Sequence, residues 1–195
     1  MAKVDTRTRI VAAATELYRR QGMTGTGLKQ IATTAAAPFG SIYHFFPGGK
    51  AELSEEVIRT SGISYGDLVM TVFEACADLE TAITMSFDLA AENLVATDYA
   101  DACPIATIAL EVASVDEPLR IATADVFTDW IDRSTAKLTT WGLSEEASRR
   151  QSIGYINSLE GAFVLSRALR STEPLKVAGQ TVLAAARSEL KVHPE

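Results

Sequence analysis

Apolar residues recur three and four positions apart along most of the chain, and no segment alternates apolar with polar over the length of a strand. Ile10, Val11, Ala14, Leu17, Tyr18 and Gln21 line one side of a helix from about Thr6 to Gln21, which Gly22 ends. Thr26 can cap a short second helix that carries Leu28, Ile31 and Ala32. Pro38 disfavours helical geometry at Ala37 but suits the first turn of a new helix. The third helix is therefore expected over about 38–45, with Ile42, Tyr43, His44 and Phe45. Pro47-Gly48-Gly49 breaks it, and Lys50 opens a fourth helix through Leu53, Val57 and Ile58. Longer helices follow near 50–75, 79–97, 103–114, 117–140, 144–171 and 174–191. The pattern predicts an all-α chain of about nine helices. A helix-turn-helix module is expected over residues 1–49 and a helical domain over residues 50–195.

Two short helices joined by a tight turn and braced by a first helix place the second of the pair in the DNA major groove. Here that helix begins PFGSIYH. Gly40 and Ser41 are small enough for close approach to the DNA backbone, and Ser41 can bond phosphate oxygens. If Ile42 packs inward, Tyr43 and His44 lie toward the exposed side. Phe45, together with Phe46, is expected in the small core. Lys50 puts a cation at the start of a helix, where the dipole disfavours it unless an anion compensates. A DNA phosphate would supply that anion; a solvated lysine in a polar turn is the plainer alternative.

Charge sharpens the division. The net charge is −7, yet residues 1–50 hold seven Lys/Arg against two Asp/Glu, while the remainder holds eleven against twenty-three. A basic module on an acidic body implies that one end faces a polyanion. No apolar run reaches the roughly 18 residues that span a bilayer, and MAKVDTRTRI lacks the apolar stretch of a secretory signal. A cytoplasmic protein with no membrane partner is expected. Cys76 and Cys103 make no metal spacing or disulfide framework, so both are expected reduced and apolar, and no cofactor is called for. The two histidines, His44 and His193, sit far from any nucleophile motif, and no phosphate loop or metal cluster is present. The residues point away from an enzyme.

The run Thr26-Gly-Leu-Lys-Gln-Ile-Ala, then Ala35-Ala-Ala-Pro-Phe-Gly-Ser-Ile-Tyr-His-Phe-Phe and Lys50-Ala-Glu-Leu, resembles the DNA-binding domain of the TetR/AcrR family of transcriptional repressors. The likeness covers about residues 6–58, and the Pro-Gly-Gly-Lys turn with Cys103-Pro104-Ile105-Ala106 is similar to the LmrA/YxaF-like branch. The resemblance implies that Thr26 and Lys29 meet phosphates, that Phe39, Gly40, Ser41, Tyr43 and His44 face DNA, and that Lys50 clamps the backbone. Two positions depart from the family. Ala36 stands where the turn usually has glycine, so its backbone must avoid or tolerate a left-handed conformation. Phe39 stands where a polar residue is frequent, and either a thymine methyl or a neighbouring helix could receive it.

The resemblance further implies a C-terminal domain that binds a small inducer and forms a homodimer. The residues permit both. Small side chains at Ser158, Gly161, Ala162, Ala178 and Ala185, with Val182, would let two helix pairs approach closely; tight packing within one chain is the alternative. Met70, Phe73, Phe87, Phe127 and Trp130 are candidate walls of a ligand cavity, with Asn157 and Glu160 to orient its occupant. Residues 61–132 contain fourteen Asp/Glu and one basic residue, Arg120. Their field is expected to favour an apolar, aromatic inducer, neutral or cationic, over an anion. The function expected is that of a ligand-released repressor on a double-stranded, pseudo-palindromic operator. A DNA-binding regulator without a small-molecule inducer is the alternative.

Overall fold

The structure, a computed structural model, describes residues 5–192; His193 and the first residues of the N-terminal segment lie outside them. The described residues form nine helices and no strand. They are α1 (Thr6–Gln21), α2 (Leu28–Thr34), α3 (Gly40–Phe45), α4 (Lys50–Ala75), α5 (Leu79–Ala96), α6 (Pro104–Val112), α7 (Glu117–Thr139), α8 (Glu145–Leu169) and α9 (Glu173–Val192).

Local chemistry sets several of the starts. Asp5 accepts from Thr8 N at 3.0 Å, Asp78 from Thr81 N at 2.8 Å, and Ser144 from Ala147 N at 3.2 Å. The hydrogen bond from Thr81 N holds the Asp78 carboxyl below the usual carboxylate range. Cys103 does more than pack: its Sγ accepts from Ala106 N at 3.4 Å at the head of α6, with Pro104 in the first turn. At α2 the cap position falls to Gly27 with no side-chain bond, so Thr26 stands one residue before the cap expected of it. At α4, Glu52 Oε2 reaches back to accept from Gly48 N at 2.7 Å.

The chain divides into two compact units. The first comprises Met1–Ser64 and Ala102–Phe127, more chain than the residues 1–49 expected to bind DNA. Its core gathers Ile10 and Tyr18 of α1, Ile31 of α2, Ile42 of α3, Phe46, and Leu53 and Ile58 of α4, all buried. The Tyr18 hydroxyl lies 2.9 Å from Ser54 Oγ, and burial pushes its phenol pKa up. Of the two phenylalanines expected in this core, Phe46 is inside and Phe45 is half-buried. From α6, Glu111 Oε2 accepts from Thr24 N at 2.7 Å and from Thr24 Oγ1 at 2.8 Å, which ties down the α1–α2 turn. Gly22 suits that place twice over. Its φ is 80°, and an added Cβ would lie 2.1 Å from Glu111 Oε1.

The second unit comprises Tyr65–Asp101 and Thr128–Glu195. In it α9 packs on both α5 and α8. The core between them includes Phe73, Leu79, Ile83, Phe87, Tyr155 and Leu175.

Ala36 tolerates the left-handed conformation, with φ 48°. Its carbonyl and that of Ala35 are held from α1, Arg9 Nε donating to Ala35 O at 3.0 Å and its guanidinium reaching Ala36 O at 3.4 Å. A left-handed residue with a Cβ is strained by about 1–2 kcal/mol. Glycine returns about 0.5–1 kcal/mol of that as unfolded-state entropy. Ala36→Gly is therefore expected to stabilise the protein by roughly 0.5–1 kcal/mol, raising the melting temperature by about 1–4 °C. A thermal melt that falls instead would show that the turn is not strained.

Candidate functional site

α3 is a short helix whose sequence separates two faces. Ile42 is fully buried and Phe46, which follows the helix, is 1% exposed. These two anchor it to α1, where Arg7 also lies over the Phe46 ring at 5.2 Å and pairs with Glu56 at 3.0 Å. The opposite face is open. Phe39 is 41% exposed and Tyr43 50%, Gly40 and His44 are exposed, and Ser41 is half-buried. Phe39 and Tyr43 meet edge to face at 5.8 Å on that surface, so Phe39 is not part of the core. Gly49, with φ 67°, makes the turn that follows, and Tyr43 Cε1 lies 3.5 Å from where its Cβ would stand.

Of the candidate phosphate contacts, Lys29 is exposed on α2 and Lys50 is half-buried as the first residue of α4. Neither pairs with a carboxylate among the described residues, so both ammonium groups are available to a DNA phosphate. Thr26 is different. It is 1% exposed, its Oγ1 donates to Gly22 O at 2.7 Å and accepts from Gln21 Nε2 at 3.1 Å, and its amide donates to Met23 O at 3.1 Å. Its donors are all engaged within the turn, so its role there is to shape the entry to α2.

In the second unit a small cavity, about the size of one water molecule, lies between α4, α5, α7, α8 and α9. Phe73, Leu79, Ile83, Leu138 and Val182 give it apolar walls. Ser134, Gln151, Ser152 and Tyr155 complete the lining, but the surface they and their neighbours expose to it is apolar, and no charged side chain lines it. Gln151 Nε2 donates to Val182 O at 2.9 Å. Of the candidate ligand residues, Phe73 borders the cavity and Phe87 packs beside it, 5.5 Å from the Tyr155 ring. Met70 and Trp130 are half-buried on α4 and α7, and Phe127 is half-buried in the first unit. Asn157 is exposed and Glu160 half-buried on α8, and neither borders the cavity. Sequence reasoning passed over Gln151, Ser152 and Tyr155. Their signal was spacing: they repeat at helical intervals with Ala147 and Ala162 on the buried face of α8.

The acids of residues 61–132 do not reach this cavity. Many of them stand in surface ion pairs, among them Asp67 and Asp129 with Arg133, Asp132 with Arg149, Glu80 with Arg187, Asp98 with Arg170, Glu117 with Arg120 and Asp125 with Arg59. Arg120 and five arginines from outside the run neutralise much of the expected field, so the attraction of a cation loses its basis.

The candidate dimer residues divide. Gly161 and Ala185 are exposed, Ser158 and Ala178 half-buried, and Ala162 and Val182 lie within the unit's own core. Beside Gly161, Val164, Leu165 and Leu169 are exposed, as is Val177 of α9, and these were missed. The signal was the run FVLSRAL, which is apolar on more than the one face that its own chain buries.

Two short helices, α2 and α3, joined by a tight turn and packed on α1 define a helix-turn-helix protein. Residues 10–57 match the family described as "Bacterial regulatory proteins, tetR family", and residues 80–181 the "Transcriptional regulator LmrA/YxaF-like, C-terminal domain". The HTH-type transcriptional regulator LmrA of Bacillus subtilis (strain 168) is 31% identical over 175 residues, covering 90% of this chain and 93% of that one. An uncharacterized HTH-type transcriptional regulator of the same organism, YxaF, is 31% identical over 178 residues, covering 91% and 93%. The fold matches the crystal structure of a regulatory protein TetR from Rhodobacter sphaeroides with a TM-score of 0.82 at 18% identity, over 92% of this chain and 98% of that one. The chain belongs to the tetR family of bacterial transcriptional regulators, a non-enzymatic family, and carries an LmrA/YxaF-like C-terminal domain. No helix among the described residues is long and apolar enough to cross a membrane.

Proposed function

We propose that the protein is a repressor that binds a pseudo-palindromic operator as a homodimer and leaves it when a small, apolar or aromatic molecule enters its C-terminal domain. The observation that carries this reading is the exposed Phe39–His44 face of α3, set over a closed core and flanked by Lys29 and Lys50, which pair with no carboxylate among the described residues. Tyr43 and His44 read the major groove, Phe39 offers an apolar ring to a thymine methyl, and Gly40 and Ser41 permit close approach. Lys29 and Lys50 hold phosphates. Residues 1–49, with Lys50 at the head of the second domain, supply these contacts, and the rest of residues 50–195 supplies the ligand and dimer surfaces.

Two copies joined through α8 and α9 present two recognition helices about one DNA turn apart, roughly 34–36 Å. The ligand favours a conformation in which that spacing is lost. A difference of about 1–3 kcal/mol in its affinity for the two states gives roughly 5–150-fold weaker operator binding. The uncharged lining of the cavity makes a neutral molecule the fitting occupant. Operator release, read by fluorescence anisotropy against lipophilic cations, neutral aromatics and an acyl-CoA, tests this. Neutral aromatics are expected to release the DNA; release by the acyl-CoA alone would overturn the assignment. The small size of the cavity favours a second reading, a regulator that works without an inducer, and release by no member of the panel would support it.

A further inference from the structure

We propose that Arg9 of α1 is a positioning residue for operator recognition, whose guanidinium holds the α2–α3 turn and so sets the angle at which α3 meets the bases. This rests on the reading of α3 as the recognition helix. Helix α2 closes in the Schellman pattern, Ala36 N donating to Thr33 O at 3.1 Å and Ala37 N to Ala32 O at 3.0 Å. That closure puts a left-handed residue at Ala36, where φ is 48°. Glycine is the usual occupant, and a residue with a Cβ persists there only when its surroundings hold it.

Arg9 supplies the hold. Its Nε donates to Ala35 O at 3.0 Å and its Nη2 to Ala36 O at 3.4 Å, so one planar fork takes two successive carbonyls. Thr6 Oγ1, one turn earlier on α1, accepts from the same Nη2 at 3.4 Å and steers the fork. The place matters because it lies just before the recognition helix. Only Ala37, Pro38 and Phe39 separate Ala36 from Gly40, and Ser41 N already donates to Pro38 O at 2.9 Å. Pro38 has a fixed φ, so a rotation at Ala36 swings α3 as a unit and carries Tyr43 and His44 with it. Ile42 and Phe46 tie α3 to the core, but apolar contact is non-directional and leaves the heading to the hydrogen bonds. Base contacts need that heading to within about 10–20°, whereas phosphate contacts carry no sequence information.

The probes are the duplex that the parent selects from a random pool and a random-sequence duplex of equal length, titrated by fluorescence anisotropy. Arg9→Lys keeps the charge and loses the fork. It is expected to lower the preference for the selected duplex about tenfold, while random DNA binds as in the parent with the same salt slope. A merely structural role would weaken both duplexes alike. Arg9→Lys combined with Ala36→Gly separates position from stability. Glycine relieves the strain, so the double variant is expected to melt above Arg9→Lys alone yet regain no preference. Compared with Ala36→Gly alone, it repeats the test in a more stable head. A preference retained by Arg9→Lys, an equal loss on both duplexes, or a preference restored along with the melting temperature would each overturn the proposal. A parent that selects no duplex removes the operator reading itself, and the role of Arg9 with it.

Discussion

Gly161→Trp is expected to leave each chain folded while shifting the protein from dimer to monomer at micromolar concentration and removing operator binding. Gly161 is exposed on α8, and a Cβ added there meets nothing within 4 Å in its own chain. Bulk at this site is therefore harmless to the isolated fold, and replacing a helical glycine favours the helix. Around it stand Ile153, Val164, Leu165 and Leu169, exposed apolar side chains that one chain alone leaves in water. In a two-fold interface the substitution enters twice. At about 1–3 kcal/mol of overpacking per site, dimerisation weakens by roughly 2–6 kcal/mol, or about 30-fold to 10⁴-fold. Sedimentation of parent and variant checks it. A variant that remains dimeric places the interface elsewhere, and a monomeric parent removes the dimer from the account.

Tyr43→Ala and Lys50→Ala should separate reading from holding. Tyr43 is half-exposed, so its loss is expected to cost little stability while lowering operator affinity about 10-fold to 100-fold, with random DNA much less affected. Lys50→Ala should weaken all DNA about equally and make the salt slope shallower by about one, as one phosphate contact is lost. Titrations at several salt concentrations distinguish the two. If both variants bind operator and random DNA as the parent does, α3 is not the recognition helix.

The helical spacing carried most of the fold. The starts of α1, α4, α5 and α7 fall where Thr6, Lys50, Leu79 and Glu117 were expected, because Gly, Pro and capping residues act locally. The head was legible for the same reason: Ile42 and the exposed Tyr43 follow from helix geometry alone. What stayed hidden depends on packing between distant segments. That Thr26 has its donors engaged within a turn, or that Tyr155 is buried between the rings of Phe73 and Phe87, is a property of neighbours that no local spacing encodes. Asn157 drew attention as a polar residue among apolar ones, yet the turn of α8 puts it on the outer stripe with Gly161. The acidic run misled in a related way, since the arginines that pair with Asp67, Asp98 and Glu80 lie 66 to 107 residues away in sequence.

The central claim, that this chain reads DNA as a dimer through α3, is tested most directly by selecting bound duplexes from a random pool with the full protein and footprinting the site recovered. The account predicts a pseudo-palindrome with half-site centres about one helical turn apart, roughly 10–10.5 base pairs, protected in successive major grooves by two protomers. A recovered pool no different from the starting one, or a site filled by a single protomer, would contradict it.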